Sequence, residues 1–516
     1  MSNADHERKV LDAVPTGLFI GGQWRAAGNG ATTKVEDPST GEVLKEVSDA
    51  TPADGMEALA AAHAAQSGIA TMPPRERSEI LRRAYDLLHE RIDDLALLMT
   101  LEMGKPFAEA KGEVVYASEF LRWFSEEAVR IDGGYQVAPN GLTRFLTIRQ
   151  PVGVCVFVTP WNFPLAMGTR KIAPAIAAGC ASIIKPAPQT PLTMLAFAQI
   201  LADAGLPDGV LNVITATDAG GVMEPIIRDG RARKISFTGS TPVGKAVMKA
   251  ASANLVPVTL ELGGKSPVVV EKGFSLKRAA SSIAFGKLAN GGQVCVAPDY
   301  ALVPEDDVEA FVAAYDKAVR ALYPEGPASD NFTSVINQRH YDRLRGLLDD
   351  ARAKGARVIE VGANPETARS RPHTLAPSVV LGATGDMGIL NEEIFGPVLP
   401  IVPYREIDDA VAHINAGERP LALYYFGGNC KDRRKVLERT TSGNVTINDT
   451  LLHYAQDDLP FGGVGASGMG AYHGVEGFKS LSHAKGVFEQ SRWNLTGALR
   501  PPFGLLTRFV TWYLTR

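Results

Sequence analysis

Four short segments of this chain carry side chains that can act as nucleophile, base, oxyanion donor and phosphate cradle. Asn290-Gly291-Gly292-Gln293-Val294-Cys295 places a cysteine after a polar, glycine-containing turn. Such a turn can expose the thiol and let backbone N–H groups approach a substrate. Thr259-Leu260-Glu261-Leu262-Gly263-Gly264-Lys265-Ser266-Pro267 places Glu261 at the end of an apolar strand. Burial there would raise its carboxyl toward the range of a useful acid or base. Thr159-Pro160-Trp161-Asn162-Phe163-Pro164 follows another apolar run, and Asn162 can offer a neutral amide donor to a developing oxyanion. Phe237-Thr238-Gly239-Ser240-Thr241-Pro242-Val243-Gly244 is a strand running into a helix, whose free N–H groups can cradle a phosphate. It lacks the full G-x-G-x-x-G pattern. Each segment also has a plainer reading: a buried thiol, an ion-paired glutamate, a turn asparagine, an ordinary strand-to-helix connection.

The elements around these segments place three of them at the ends of strands. Residues 16–50, with Phe19-Ile20-Gly21-Gly22-Gln23-Trp24, read as short hairpin strands. From Pro52 to about Glu127 the pattern is helical, with Leu81, Tyr85, Leu88, Ile92, Leu95, Leu98 and Leu101 forming a core-facing stripe. Val152–Val158 is a near-continuous apolar run, as in a strand buried on both faces. A helix over 168–179, a strand over Ala181–Ile184 and a helix opening at Pro191 follow. Val210–Ile214, Lys234–Phe237 and Pro257–Leu260 read as further strands, and the alternation resumes from about Phe274 through 301–321, 341–354, 356–361 and 406–417. Strand alternating with helix predicts an α/β fold of two doubly wound domains in series. Ligands of such sheets gather outside the carboxyl ends of the strands, where the Asn162, Ser240 and Glu261 segments lie.

Composition narrows the class. The chain has 516 residues, 45% hydrophobic and 21% charged, long enough for two or three domains. A formal net charge of −4 gives no reason to expect nucleic acid as a partner. Cys155, Cys180, Cys295 and Cys430 show no CxxC and no zinc spacing, which points to a reducing compartment without a metal. Met1 to Lys9 is polar and carries no apolar signal core, and no run approaches the roughly 20 apolar residues of a membrane span. The expectation is a cytoplasmic enzyme.

Together, and in their order along the chain, the four segments resemble the aldehyde dehydrogenase superfamily. Lys185-Pro186-Ala187, Glu392-Glu393-Ile394-Phe395-Gly396-Pro397 and Pro460-Phe461-Gly462-Gly463 extend the likeness, which runs from about residue 16 to 490. The spacings, 99 positions from Asn162 to Glu261 and 34 more to Cys295, also look like the family. The resemblance implies two Rossmann-like domains plus a small protruding oligomerisation sheet. Residues 1–132 and 151–262 would bind the dinucleotide, 263–480 would form the catalytic domain, 133–150 and 481–498 the oligomerisation segment, and 499–516 a tail. A homodimer is the minimum implied, and a tetramer is compatible. The implied reaction takes an aldehyde to the acid through a thioester on Cys295, with no metal. Asn162 and the Cys295 backbone N–H would hold the oxyanion, and Glu261 would activate the hydrolytic water. For the cofactor, Ser240 would contact the pyrophosphate, Lys185 the adenosine ribose, and Glu393 with Phe395 the nicotinamide end. Trp161, Pro188, Gly239 and Gly263 complete that set. A cofactor-free acyltransferase or esterase and a non-catalytic protein on this fold are the competing classes. The cofactor motifs weigh against the first, and the trio Cys295, Glu261 and Asn162 against the second.

Departures from the family bear on specificity. NAD-preferring members often carry a glutamate three residues after the cofactor lysine, where Pro188 stands here. Without that carboxylate NADP is expected to be accepted alongside NAD, or preferred. Residues 16–265, with Met167-Gly168-Thr169-Arg170-Lys171-Ile172-Ala173-Pro174, look like succinate-semialdehyde dehydrogenases. Beyond about 275, Cys295-Val296-Ala297-Pro298-Asp299-Tyr300, Thr446-Ile447-Asn448-Asp449-Thr450 and Ser467-Gly468-Met469-Gly470-Ala471-Tyr472-His473-Gly474 look like class 3 and coniferyl-aldehyde dehydrogenases. A chimera joined between about 262 and 285 would account for this, as would a natural family bridging both groups. Arg170 matches one arginine of the succinate-semialdehyde carboxylate clamp, but Ala289 stands where the second would lie, and Ala297 replaces the second cysteine of the redox loop. Half a clamp binds a carboxylate weakly. Phe163, Met167, Val294, Val296, His453 and Tyr454 are expected to line an apolar entrance, each with core packing as its alternative. Aromatic or medium-chain aldehydes are therefore expected ahead of succinate semialdehyde. The apolar tail from Phe503 to Leu514 is too short to span a membrane and is expected to pack on a neighbouring subunit, with covering a substrate mouth or touching a membrane surface as the alternatives.

Overall fold

The strand Val154–Val158 is buried along all but its last residue, as its unbroken apolar run requires. In the computed structural model, which describes residues 3–139, 141, 143–363, 371–490 and 496–515, it sits near the middle of an eight-stranded sheet. The order is Gly468–Met469, Val258–Leu262, Ala232–Gly239, Val154–Val158, Ser182–Lys185, Leu211–Val213, Leu18–Ile20, Gln23–Arg25. Its five central strands run parallel, and Leu18–Ile20 and Gly468–Met469 join antiparallel at the sides. The intervening helices include Ala166–Ala178, Leu192–Asp203, Ala219–Arg228 and Thr241–Ala251. Helix starts follow local chemistry. Thr51 and Asp54 form a reciprocal capping box ahead of Pro52–Thr71, and Pro242 sits in the first turn of Thr241–Ala251.

A second sheet has the order Arg357–Glu360, Ser378–Leu381, Val398–Tyr404, Tyr300–Pro304, Pro267–Val270, Ala422–Phe426, Asn444–Ile447. All its pairings are parallel except that of Arg357–Glu360. The two sheets are the two doubly wound, Rossmann-like units that the alternation predicts. The chain passes between them from Leu262 to Pro267. It then returns: Gly468–Met469 pairs beside Glu261, and Phe478 and Leu481 bury in the first core. The stretch 263–480 is thus not one continuous unit, because its last residues complete the first sheet.

Gly134–Val137, Arg144–Pro151 and Ser482–Glu489 form a separate antiparallel sheet. Residues 140, 142 and 491–495 of the segments expected there, and residue 516 of the tail, lie outside the described residues. The tail forms the helix Leu505–Leu514, which buries Val510 and leaves Leu505, Leu506, Phe509 and Tyr513 exposed. Among the described residues no helix is long and apolar enough to cross a membrane, and no group of three His, Cys, Asp or Glu side chains could hold a metal.

Candidate active site

Glu261 lies one residue from the end of its strand and is completely buried. Its neighbour strand Ala232–Gly239 ends at the same level, with Thr238 opposite Glu261. Cys295 approaches from the second unit on a loop that begins with Asn290 and Gly291 in left-handed backbone (φ 51° and 62°). Gly292 is also left-handed, and a side chain there would strike the carbonyl of Gly396. The loop is tied down by Gln293, whose amide donates to Asn290 O and Ser334 O at 3.1 Å and accepts from Ile336 N at 3.0 Å. The half-buried Cys295 Sγ comes to rest 3.6 Å from Glu261 Oε1.

Asn162 sits on the opposite wall. Its amide donates to Gln293 O at 2.9 Å, which uses one of its two N–H groups, and its Oδ1 has no partner among the described residues. Lys105 Nζ donates to Asn162 O at 2.9 Å and pairs with Glu113 at 2.6 Å, with both side chains out of water. Glu113 in turn accepts from the N–H groups of Leu165 and Ala166. A buried ion pair this well hydrogen-bonded supports a specific geometry more than it supports stability.

Two clefts meet at Cys295. One, about 790 Å³, is lined by Trp161, Asn162, Met167, Thr238, Gly239, Ser240, Glu261, Gly263, His340, Arg343, Glu393 and Phe395 among others. Trp161 and Phe395 face each other edge to face at 5.4 Å. Phe395 holds φ 52°, a costly backbone for a bulky side chain and one that tends to occur at functional sites. A Cβ on Gly263 would collide with the Glu393 carboxylate, so only glycine lets the two segments approach. The other cleft is narrow, about 280 Å³, and lined by Tyr116, Phe163, Ala166, Met167, Arg170, Val294, Cys295, Val296, Tyr454 and Phe461.

Charges in the site are strongly coupled. Burial alone raises the Glu261 carboxyl, but Arg170, then Lys171, Tyr472 and Thr238, outweigh it and hold it at about 2. Burial and the adjacent Glu261 both push the Cys295 thiol well above its usual range. Burial lowers Lys171 to about 7, where it donates to Thr238 Oγ1 at 2.7 Å and Ser236 Oγ at 3.1 Å. His340, against Trp161 at 5.3 Å, is lowered by burial to about 4 and is neutral at ordinary pH.

The fold therefore brings Cys295, Glu261, Asn162, Trp161, Gly239, Ser240, Gly263, Glu393 and Phe395 to one cleft. Phe163, Met167, Arg170, Val294, Val296 and Tyr454 line the narrow one. Three expected residues stand elsewhere. Lys185 is buried with Nζ on Pro186 O at 2.9 Å, and Pro188 is half-buried beyond it; neither lines the cleft. His453 is set behind the pocket wall, stacked on Phe461 and bonded through Nδ1 to Thr446 Oγ1 at 2.7 Å, rather than at the entrance. Sequence reasoning passed over Tyr472, Lys171, Thr238, Tyr116, Phe461, His340 and Arg343. Thr238, Lys171, Phe461 and Tyr472 lie inside quoted motifs, but His340 and Arg343 have no local signal at all.

Comparison with known proteins decides the family. The aldehyde dehydrogenase family model matches residues 24–487. The chain belongs to the aldehyde dehydrogenase family. A protein named a probable coniferyl aldehyde dehydrogenase, from Caulobacter vibrioides, is 42% identical over 451 residues, 84% of this chain and 91% of the relative. A succinate-semialdehyde dehydrogenase of Paenarthrobacter nicotinovorans is 43% identical over 438 residues, 84% of this chain and 96% of the relative. Among solved structures, an E. coli NADP-dependent enzyme superposes with a TM-score of 0.88 at 33% identity, covering 95% of this chain and all of that one. Betaine aldehyde dehydrogenase of Staphylococcus aureus in complex with NAD+ gives 0.89 at 27%, covering 95% and 98%. This aldehyde dehydrogenase is an NAD(P)-dependent enzyme, and its substrates are small aldehydes. Each of the two relatives covers so much of the chain that its match crosses residues 262–285.

Proposed function

We propose that this aldehyde dehydrogenase oxidises uncharged aromatic or medium-chain aldehydes, coniferaldehyde-like in character, to their acids. The observation that carries the reading is the position of Arg170. Its Nη2 lies 2.5 Å from Glu261 Oε2, so the guanidinium that could hold a substrate carboxylate is already paired. The rest of the narrow pocket is apolar or aromatic, and Ala289 supplies no second cation. Succinate semialdehyde is the second reading. It is favoured by Arg170 Nε, which has no partner among the described residues, and by the Paenarthrobacter relative.

The cofactor cleft fits a nicotinamide dinucleotide. It has an aromatic wall in Trp161 and Phe395, and the hydroxyl of Ser240 at the start of a helix. When bound, the dinucleotide would supply a hydride acceptor. Gly239 and Ser240 would meet the pyrophosphate, Glu393 the ribose hydroxyls, and Lys185 with Pro188 the adenosine end. The neutral Pro188 favours acceptance of NADP, since no carboxylate there repels a 2′-phosphate.

In the chemical steps Cys295 loses its proton to solvent and its thiolate Sγ bonds to the aldehyde carbon, while Glu261 Oε1, 3.6 Å away, stays ionised for the hydrolytic step. The second N–H of Asn162 and the Cys295 backbone N–H hold the oxyanion. Loss of hydride from the carbon leaves a thioester. Glu261 then takes a proton from water as its oxygen attacks the carbonyl, the C–S bond breaks and the acid departs.

The assay that tests the substrate reading follows NADPH and NADH formation with coniferaldehyde, benzaldehyde, hexanal and succinate semialdehyde. A charge-assisted hydrogen bond contributes about 1.5–3 kcal/mol, so kcat/KM for the aromatic aldehydes should exceed that for succinate semialdehyde by about 10-fold or more. Turnover concentrated on succinate semialdehyde would overturn the pocket reading, and strong NAD preference the cofactor one.

The enzyme is further read as a cytoplasmic homo-oligomer. In support, the four cysteines form no CxxC pattern, and Cys155 and Cys180 are buried. The separate three-stranded sheet exposes Tyr135, Val137 and Phe488. Light scattering should give a dimer or tetramer, and a single 55.1 kDa species would refute assembly.

A further inference from the structure

The two oxygens of Glu261 face different groups. Oε2 accepts from Arg170 Nη2 at 2.5 Å, from Thr238 Oγ1 at 2.8 Å and from the hydroxyl of Tyr472. Oε1 accepts only from Cys295 Sγ among the described residues. A carboxylate oxygen offers about two lone-pair directions, so three donors saturate Oε2 and leave Oε1 as the one that can take a proton.

Tyr472 is itself firmly held. Its backbone exchanges two hydrogen bonds of 2.9 Å with Phe461, and three residues earlier the strand Gly468–Met469 pairs beside Glu261. The Arg170 guanidinium lies over the Tyr472 ring at 4.8 Å. Arginine, tyrosine and carboxylate thus form a closed, buried triangle, all three drawn from distant parts of the chain.

We propose that Tyr472, together with Arg170, is a positioning residue for the hydrolytic half-reaction: by fixing Oε2 it keeps Oε1 of Glu261 turned toward the Cys295 thioester and its attacking water. This rests on the reading of Glu261 as the hydrolytic base. Tyr472 forms no bond to substrate; it acts through Glu261. The groups that set the charge of Glu261 are Arg170 and Lys171 on one helix, Thr238 on the neighbouring strand, Cys295, Tyr472, and at longer range Tyr116 and His473.

The sign of the pH effect follows. Each donor to Oε2 favours the ionised carboxylate, so losing the Tyr472 hydroxyl raises the Glu261 carboxyl and moves the acid limb of hydrolysis to higher pH. Tyr472→Phe keeps the ring under Arg170 and removes only the hydroxyl.

The test uses the full-length enzyme with benzaldehyde and NADP+. In Tyr472→Phe the pre-steady-state burst of NADPH should stay within about twofold of the parent, while steady-state turnover falls by about 10-fold. Acyl-enzyme on Cys295, read by intact mass after acid quench, should accumulate, and the acid limb should rise. Thr238→Val, which removes a second donor to Oε2, should shift all three readouts the same way. Unchanged mass occupancy, or burst and turnover falling in parallel, would overturn the proposal. Glu261→Gln run alongside separates the two ideas. If it turns over normally the base assignment fails; if it stalls while Tyr472→Phe behaves as the parent, only the positioning role fails.

Discussion

Cys295→Ala should lose NAD(P)H formation with every aldehyde by about 10⁴-fold or more, while binding the dinucleotide within about twofold of the parent. The size follows from the absence of a second thiol in the site. Cys155 and Cys180 are fully buried in the first core, and Cys430 opens the exposed helix Cys430–Arg439 of the second unit. Asn162 would still polarise the carbonyl, but without sulfur no covalent adduct forms and hydride loss has no thiohemiacetal to start from. Binding should survive because the cleft walls, Trp161, Ser240, Gly263, Glu393 and Phe395, are untouched. Quenching of Trp161 fluorescence on titration with NADP+ provides the binding measurement. Activity persisting in the variant would remove Cys295 from the reaction, and lost binding would point to a collapsed fold instead.

Glu261→Gln should separate the two half-reactions. The nucleophile and oxyanion donors remain, so a single stoichiometric burst of NADPH is expected, followed by turnover lower by about 10²–10⁴-fold, the usual contribution of a general base. An amide cannot take the proton from water, and the thioester should be visible on Cys295 by intact mass. The change also has a structural cost. It leaves Arg170 buried beside a neutral group, and breaking a buried pair in this way typically destabilises by about 3–5 kcal/mol. Denaturant midpoints must therefore accompany the kinetics. The pH dependence has a definite sign. Glu261 is held at about 2 in the fold against an ordinary 4.5, so its ionisation favours the native state above about 4.5. That contribution is lost as pH falls toward 2. A Glu261→Gln variant lacking any burst would show that the carboxylate is needed before acylation, and the assignment of roles would have to change.

Much of this enzyme is legible before folding because its signals are local. Glycines that must adopt left-handed backbone, such as Gly291 and Gly292, mark the turn that presents Cys295. The Gly263 that must clear Glu393 lies within the glutamate motif itself. Apolar runs of strand length, interrupted by capped helices, specify parallel sheets, and parallel sheets collect their ligands at the carboxyl ends. The glutamate and the asparagine therefore fall at one edge from pattern alone, whereas the cysteine is brought to them from the second unit by the fold.

What only the tertiary structure decided is which partner each buried charge takes. Arg170 reads as half a substrate clamp, yet it lies on Glu261, 91 positions away, with Tyr472 closing the contact from 211 positions away. His453 reads as pocket lining but is drawn behind Phe461. His340 and Arg343 reach the cofactor cleft from a helix of the other unit. The reason is physical. Backbone conformation answers to the few residues on either side, so turns, caps and periodicity are written locally. The pairing of a charge removed from water depends on distance through space and on what else is desolvated beside it, and neither has a signature along the chain.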